Sequence, residues 1–325
     1  MKKTAILLFI ASVLVPLPLR ADSQTRAAQQ HSPLAQSPPL PDGVRAREVR
    51  FYSEGIECYG KIFTPRAADG PEPGVVLAPD WGETATSIER FAAQFALRRI
   101  TAMVIDYRGW GKSGGFVQTV GEVKTDDRLR FSQMTARVRI RRKRLIPQQQ
   151  VLDIRNALYY LQGEPGVDRT RVGVWGVGMS GGHVIVIAAT DSRVKAVVAN
   201  APVIDGKDAP RKASTPTGAL LQAQQRLART GDLGISVNDA ETRLALAEYH
   251  PFWYAEQIPK TTAVIFVIAD MDPRVKNEST IAASKLLKGP TDVVRVPGVT
   301  HLQIGNGAAF DVAAKTALDW FLKHL

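Results

Sequence analysis

Three short stretches hold the residues best suited to chemistry: "GVGMSGG" around Ser180, "ADMDPRV" around Asp272 and "VTHLQIG" around His301. A serine hydroxyl is a weak nucleophile until an imidazole takes its proton. The imidazole in turn needs a carboxylate to hold its tautomer and orientation. The chain has five histidines. His31 lies in a Pro/Gln/Ser-rich stretch, His324 in the last turn, His183 on the helix after "GVGMSGG" and His250 in "YHPFWY". Only His301 sits on a loop between a late apolar strand and the final helix. Asp270 and Asp272 compete as its carboxylate partner. Asp270 still belongs to a strand end, whereas Asp272 lies on the turn "MDPRV", from which a carboxylate can swing toward His301, so Asp272 is preferred.

These loops need a scaffold to position them. "REVRFYS" and "ECYGKIFTP" read as two antiparallel strands joined by a Glu-Gly turn. Apolar strands then alternate with amphipathic helices: "GVVLAPD", "TAMVIDY", "RVGVWGV", "VKAVVANAP", "TAVIFVIAD" and "DVVRVPGV" are the strands. That rhythm predicts an α/β fold with a mostly parallel sheet covered by helices on both faces. Ligands of such sheets bind at the carboxyl ends of the strands. "PDWGET", "RGWGKSGG" and "NAPVIDG" fall at those ends beside the three stretches above. Two interruptions, 115–146 and 205–259, leave from the same ends and are read as lid insertions.

The region 122–144 carries nine basic residues against three acidic ones. No aromatic residue interrupts "RVRIRRKR", which argues against nucleic acid and for a solvated or anion-facing lid. The expected partner is therefore a small-molecule substrate of anionic character. "GWGKSGG" is an incomplete phosphate-binding loop, because its first glycine would fall at Asp106. Asp106 and Arg108 read instead as ties for that loop.

The chain has 325 residues, 45% hydrophobic and 22% charged, with a formal net charge of +11. This suits one large α/β domain, placed at 45–325. The single cysteine, Cys58, excludes an intramolecular disulfide and a cysteine zinc site, and reads as a small core residue. No metal or cofactor is expected. "MKK", the apolar "TAILLFIASVLV" and "PLPLRA" form a signal peptide over 1–21, which predicts a periplasmic or secreted protein with no stable membrane span after its removal. Residues 22–44 read as a disordered Pro/Gln/Ser-rich tether.

The order of elements, with "DYRGWGKSGG", "VDRTRVGVWGVGMSGGHV" and "GVTHLQIG" at strand ends, resembles the α/β-hydrolase superfamily, in its dienelactone-hydrolase-like and acetyl-esterase-like branch. The resemblance runs from about residue 45 to 325 and implies an eight-stranded sheet. It also implies acyl transfer or hydrolysis of an ester, thioester or amide, with the nucleophile, Asp272 and His301 in that chain order. The oxyanion hole would use the backbone N–H of Trp81 and of the residue after the nucleophile, Met179 or Gly181.

The nucleophile motif G-x-S-x-G fits in two registers. Centred on Ser180, it is a literal match from Gly178 to Gly182. Centred two residues earlier, Gly178 stands at the elbow tip and Ser180 is a small packing residue. Trp175-Gly176 sits where the branch has Trp-Gly before its x-Ser pair, which favours the second frame. A shift of two keeps side chains on the same face of a strand, so alternation does not choose between them. Pro79-Asp80-Trp81-Gly82 also replaces the branch's His-Gly-Trp-Gly, bringing a carboxylate close to where an oxyanion would form. Three readings follow. One is a serine hydrolase using Ser180; another is a serine-less enzyme with His301, poised by Asp272, as general base for proton abstraction, cyclisation or C–C chemistry. The third is a non-catalytic ligand-binding homologue.

Overall fold

The computed structural model describes residues 37–325 except 68, 127, 207–224, 227 and 230–239. The signal peptide lies outside the described residues, as does most of the tether. Strands β1 (Val44–Ser53) and β2 (Ile56–Pro65) form an antiparallel hairpin across Glu54-Gly55, whose positive φ values of 49° and 78° suit a tight turn. The main sheet continues with β3 (Glu72–Ala78), β4 (Thr101–Ile105), β7 (Val167–Val177), β8 (Val194–Asn200), β9 (Ala263–Ala269) and β10 (Thr291–Val296). Its eight strands run in the order β1-β2-β4-β3-β7-β8-β9-β10, and from β4 to β10 every pairing is parallel. β3, β4 and β9 are buried along their whole length, as apolar runs covered on both faces must be.

Helices α1 (Glu89–Leu97) and α6 (Gly307–His324) cover one face, where Phe91, Phe95, Trp175, Phe310 and Phe321 share a core. Helices α2 (Pro147–Gln162) and α3 (Met179–Thr190) cover the other, with Val76, Met103, Ile154, Leu158 and Ile185 between them and the sheet. α3 is buried from Met179 to Ala188, which explains why its apolar residues surround it instead of forming a stripe. Shorter helices are α4 (Ala240–Ala247) and α5 (Asn277–Ser284). Cys58 is fully buried on β2, and burial pushes its thiol up to about 12, so it stays protonated core.

The two interruptions differ. In 115–146 a separate antiparallel pair forms, β5 (Phe116–Thr119) with β6 (Val138–Arg141). Of 205–259, much lies outside the described residues. Its end, Pro251–Gln257, forms 3-10 turns packed on α3. The loop after β4 is tied as its carboxylate and guanidinium suggested. Asp106 accepts from the N–H groups of Ala85 and Lys112, each at 2.7 Å. Arg108 forms a buried pair with Asp153, its Nε 2.7 Å from a carboxylate oxygen. Among the described residues no helix is long and apolar enough to cross a membrane.

Candidate active site

β3 has β4 on one side and β7 on the other, so the chain reverses its winding direction between them. A crevice opens at such a switch point, outside the carboxyl ends of the strands. The register pairs Ala78 with Gly176, so the residues that follow, Pro79-Asp80 and Val177-Gly178, leave the sheet side by side.

Gly178 lies between β7 and α3 with φ 59° and ψ −119°, a backbone position that strains any L side chain. Its N–H donates to the Asn200 carbonyl and its carbonyl accepts from the Val203 N–H, both at 2.9 Å. Gly176 must be small as well, because a Cβ there would run into the Ser180 backbone. The elbow tip is therefore Gly178, and Ser180 is the small residue packed behind it.

The space that a side chain on residue 178 would enter is taken. A Cβ built on Gly178 falls on the carboxylate of Asp80. That carboxylate accepts the Met179 N–H through Oδ1 at 2.8 Å, and its Oδ2 lies 3.1 Å from His301 Nε2. On the far side of the ring, His301 Nδ1 is 2.6 Å from Asp272 Oδ2. The Arg274 and Val275 N–H groups hold the other Asp272 oxygen at 2.8 and 3.2 Å. The result is a row, Asp80–His301–Asp272, with the imidazole 5% exposed. Burial works against a charged ring, but hydrogen bonds and charge from Asp272 and Asp80 outweigh it and push His301 up to about 9. The two carboxylates thus favour the protonated form of the ring.

The structure brings His301, Asp272, Gly178 and Met179 together and leaves Ser180 out. Expected as a candidate nucleophile, Ser180 is fully buried, with its hydroxyl bonded to the Pro79 carbonyl and the Tyr107 hydroxyl. One proton serves one acceptor, so Ser180 donates to Pro79 and accepts from Tyr107. Its hydroxyl makes no bond to His301. Asp270 also stays outside, paired with Arg295 at 3.0 Å on the surface. Trp81 follows Asp80 in a turn closed by the Glu83 N–H on the Asp80 carbonyl at 3.1 Å, with its ring packed half-buried against the core. Beneath Ser180, His183 bonds Tyr249 at 2.6 Å and Gln150 at 2.9 Å, and burial pushes it down to about 3, so it is neutral. Among the described residues no group of three or more His, Cys, Asp or Glu could hold a metal ion.

Sequence reasoning noticed the Asp80 carboxylate but missed where it goes. Its signal was a pair of departures, glycine at the elbow and aspartate in the first loop, which complement each other in space.

The fold and this site define an α/β hydrolase. Residues 25–206 match the acetyl xylan esterase (AXE1) family and residues 139–325 the prolyl oligopeptidase family, each more than half of the chain. The chain belongs to this esterase and prolyl oligopeptidase group of the α/β hydrolases, a serine-hydrolase type of family. It is 27% identical over 160 residues to the quorum-quenching protein AidA of Acinetobacter baumannii, a match spanning 49% of this chain and only 44% of AidA. It is 25% identical over 160 residues to the thiohydrolase aneE of Aspergillus aculeatus, covering 49% of this chain and 42% of that one. The chain thus spans less than half the length of these two relatives. Among solved structures, the fold is shared with DcsB in complex with its substrate analogue, at a TM-score of 0.68, 18% identity, and coverage of 86% of this chain and 100% of the other. It is shared also with an acetyl xylan esterase from Paenibacillus sp. R4, at a TM-score of 0.59, 19% identity, and coverage of 89% and 87%.

Proposed function

We propose that the protein hydrolyses a small-molecule ester or thioester with a carboxylate and an imidazolium in place of a nucleophilic serine. The observation that carries this is the Asp80 carboxylate, bridging the Met179 N–H and His301 Nε2 at the elbow tip. With His301 held charged to about pH 9, the pair starts as base and acid, the forms that hydrolysis requires. The substrate carbonyl oxygen takes the Met179 N–H from Asp80 Oδ1, and that donor stabilises the oxyanion. Asp80 accepts a proton from water as the water oxygen bonds to the carbonyl carbon. The intermediate then breaks its bond to the alkoxide or thiolate, which leaves with a proton from His301 Nε2. The proton on Asp80 passes to His301 across their 3.1 Å contact and restores the row. The products are a carboxylic acid and an alcohol or thiol, with no acyl-enzyme.

Family membership and the names of the esterase and thiohydrolase relatives support the substrate class. The signal-like residues 1–21 support export, and with it a reaction outside the cytoplasm. The test is turnover of a panel of p-nitrophenyl esters and acyl thioesters by wild type, Ser180→Ala, Asp80→Asn and His301→Gln. Ser180→Ala should keep activity and take no fluorophosphonate label, and the other two should lose about 10²–10⁴-fold. A labelled Ser180 in wild type, or loss of turnover in a folded Ser180→Ala protein, would restore the serine reading. No turnover by wild type across the panel would leave a ligand-binding role.

A further inference from the structure

The β5–β6 arm is used by neither the fold's core nor the proposed reaction. It is rooted in the loop after β4, where the Lys143 N–H donates to the Gly109 carbonyl at 2.9 Å. There Arg142 also donates to the carbonyls of Ser113 and Gly111 at 2.7 Å. Arg141 and Arg144 pair with Glu241, and Arg144 stacks over Phe116. The root is thus held by bonds that leave the arm's position defined.

Beyond the root the arm stands clear of the body. Register puts Val117 opposite Ile140 and Thr119 opposite Val138, so these four share one face, with Phe116, Gln118, Arg139 and Arg141 on the other. The shared face is turned to solvent, with Val117 62% and Ile140 54% exposed. All ten residues 131–140, "FSQMTARVRI", are exposed, and Phe131 at the tip is 86% so. A folded chain rarely leaves this much aliphatic and aromatic surface uncovered on one element. Exposed cations lie around this face in the same segment: Lys124, Arg128 (paired with Asp126), Arg130 and Arg137, with Arg139 on the opposite side of the strand pair.

We propose that this arm docks on an anionic lipid surface. An apolar face flanked and backed by arginines fits the boundary between headgroups and acyl chains, where the apolar side chains enter the apolar edge and the long arginines reach phosphates. The exposed apolar residues disfavour nucleic acid, whose backbone offers the cations partners but leaves Val117, Ile140 and Phe131 in water. A second copy of the arm is disfavoured too, because residues 122–144 carry nine basic residues against three acidic ones and two such arms repel. Since the arm leaves the carboxyl end of β4, beside β3 and the site crevice, docking would hold that end of the sheet near the bilayer.

The test is co-sedimentation of the full chain with vesicles of phosphatidylcholine mixed with phosphatidylglycerol, and of phosphatidylcholine alone. Binding to the mixed vesicles should weaken with salt and fall about fivefold for each of Arg130→Gln, Arg137→Gln and Arg139→Gln. Leu129, 57% exposed, stands beside Phe131 on the arm, so Leu129→Ser/Phe131→Ser should reduce binding about tenfold or more. These positions are solvent-exposed, and an unchanged melting temperature checks that each variant folds. Placing a reporter with Phe131→Trp should give a blue-shifted emission on mixed vesicles only. No sedimentation with mixed vesicles at low salt would overturn the proposal. So would binding that all arm variants retain, which would assign it to another segment, or arm-dependent self-association without lipid.

Discussion

If Asp80 occupies the place of a nucleophile side chain, then a serine can be put back only where Asp80 is removed. Gly178→Ser in the wild-type background places its Cβ on the Asp80 carboxylate and must drive it off the Met179 N–H and His301. Two charge-assisted hydrogen bonds are lost, at about 1.5–3 kcal/mol each. The backbone at φ 59°, ψ −119° adds about 1–3 kcal/mol for a residue with a side chain. The total is about 4–9 kcal/mol, against an overall stability of about 5–15 kcal/mol for an ordinary domain. In an Asp80→Ala background the two bonds are already gone, so the same substitution costs only the backbone strain. A double-mutant cycle by urea unfolding should therefore show a favourable coupling of about 3 kcal/mol or more between the two changes. Chemistry should follow the same pattern. Gly178→Ser/Asp80→Ala presents a hydroxyl to His301 with the Met179 N–H vacated, and should take a fluorophosphonate label and hydrolyse p-nitrophenyl acetate. Gly178→Ser alone should do neither. Additive unfolding energies, or labelling of the single variant equal to that of the double, would refute the reasoning.

Four further outcomes follow from the hydrogen bonds and ion pairs in and around the site. His301 is raised from 6.5 to about 9, so its stabilising contribution is complete below about pH 6.5 and disappears as pH rises through about 9. Asp80→Asn should lower the His301 titration midpoint seen by NMR and flatten that alkaline fall in melting temperature. His183, pushed down to about 3, works the other way: stability should fall as pH drops from about 6.5 toward 3, and His183→Gln should blunt that loss. Ser180→Ala leaves the buried Tyr107 hydroxyl without its acceptor and should cost about 1–3 kcal/mol in urea unfolding, part of which Tyr107→Phe should recover. Arg108→Met strands the buried Asp153 carboxylate and should destabilise by about 3–5 kcal/mol, measured the same way.

Much of the scaffold could be read from local pattern. Apolar runs such as "TAMVIDY" and "TAVIFVIAD" are strands buried on both faces, and the amphipathic segments between them are the covering helices. Loop position also pointed to His301 and Asp272, because a turn after one late strand and a loop after the next are adjacent in a parallel sheet, as the β9–β10 pairing shows. Two matters stayed open in the chain alone. The elbow motif fits at Gly178 and at Ser180, because a two-residue shift preserves strand facing. Backbone geometry settles that choice: Gly178 has the strained conformation at the helix start, while Ser180 is turned into the core toward Tyr107 and Pro79.

The other matter was Asp80. Its type is legible as a carboxylate in an oxyanion loop, and its partner Gly178 as an elbow without a nucleophile. Nothing local joins them, since Asp80 and Met179 lie 99 residues apart along the chain. Their meeting depends on β3 lying beside β7 with Ala78 against Gly176, a non-local register set by the packing of the whole sheet. By itself the sequence determined the strand and helix order and which loops gather at one end, because hydrophobic period and turn chemistry are local. Only the tertiary structure decided which carboxylate fills the elbow and what His301 faces, because a hydrogen bond between distant residues exists only once the strands carrying them are paired.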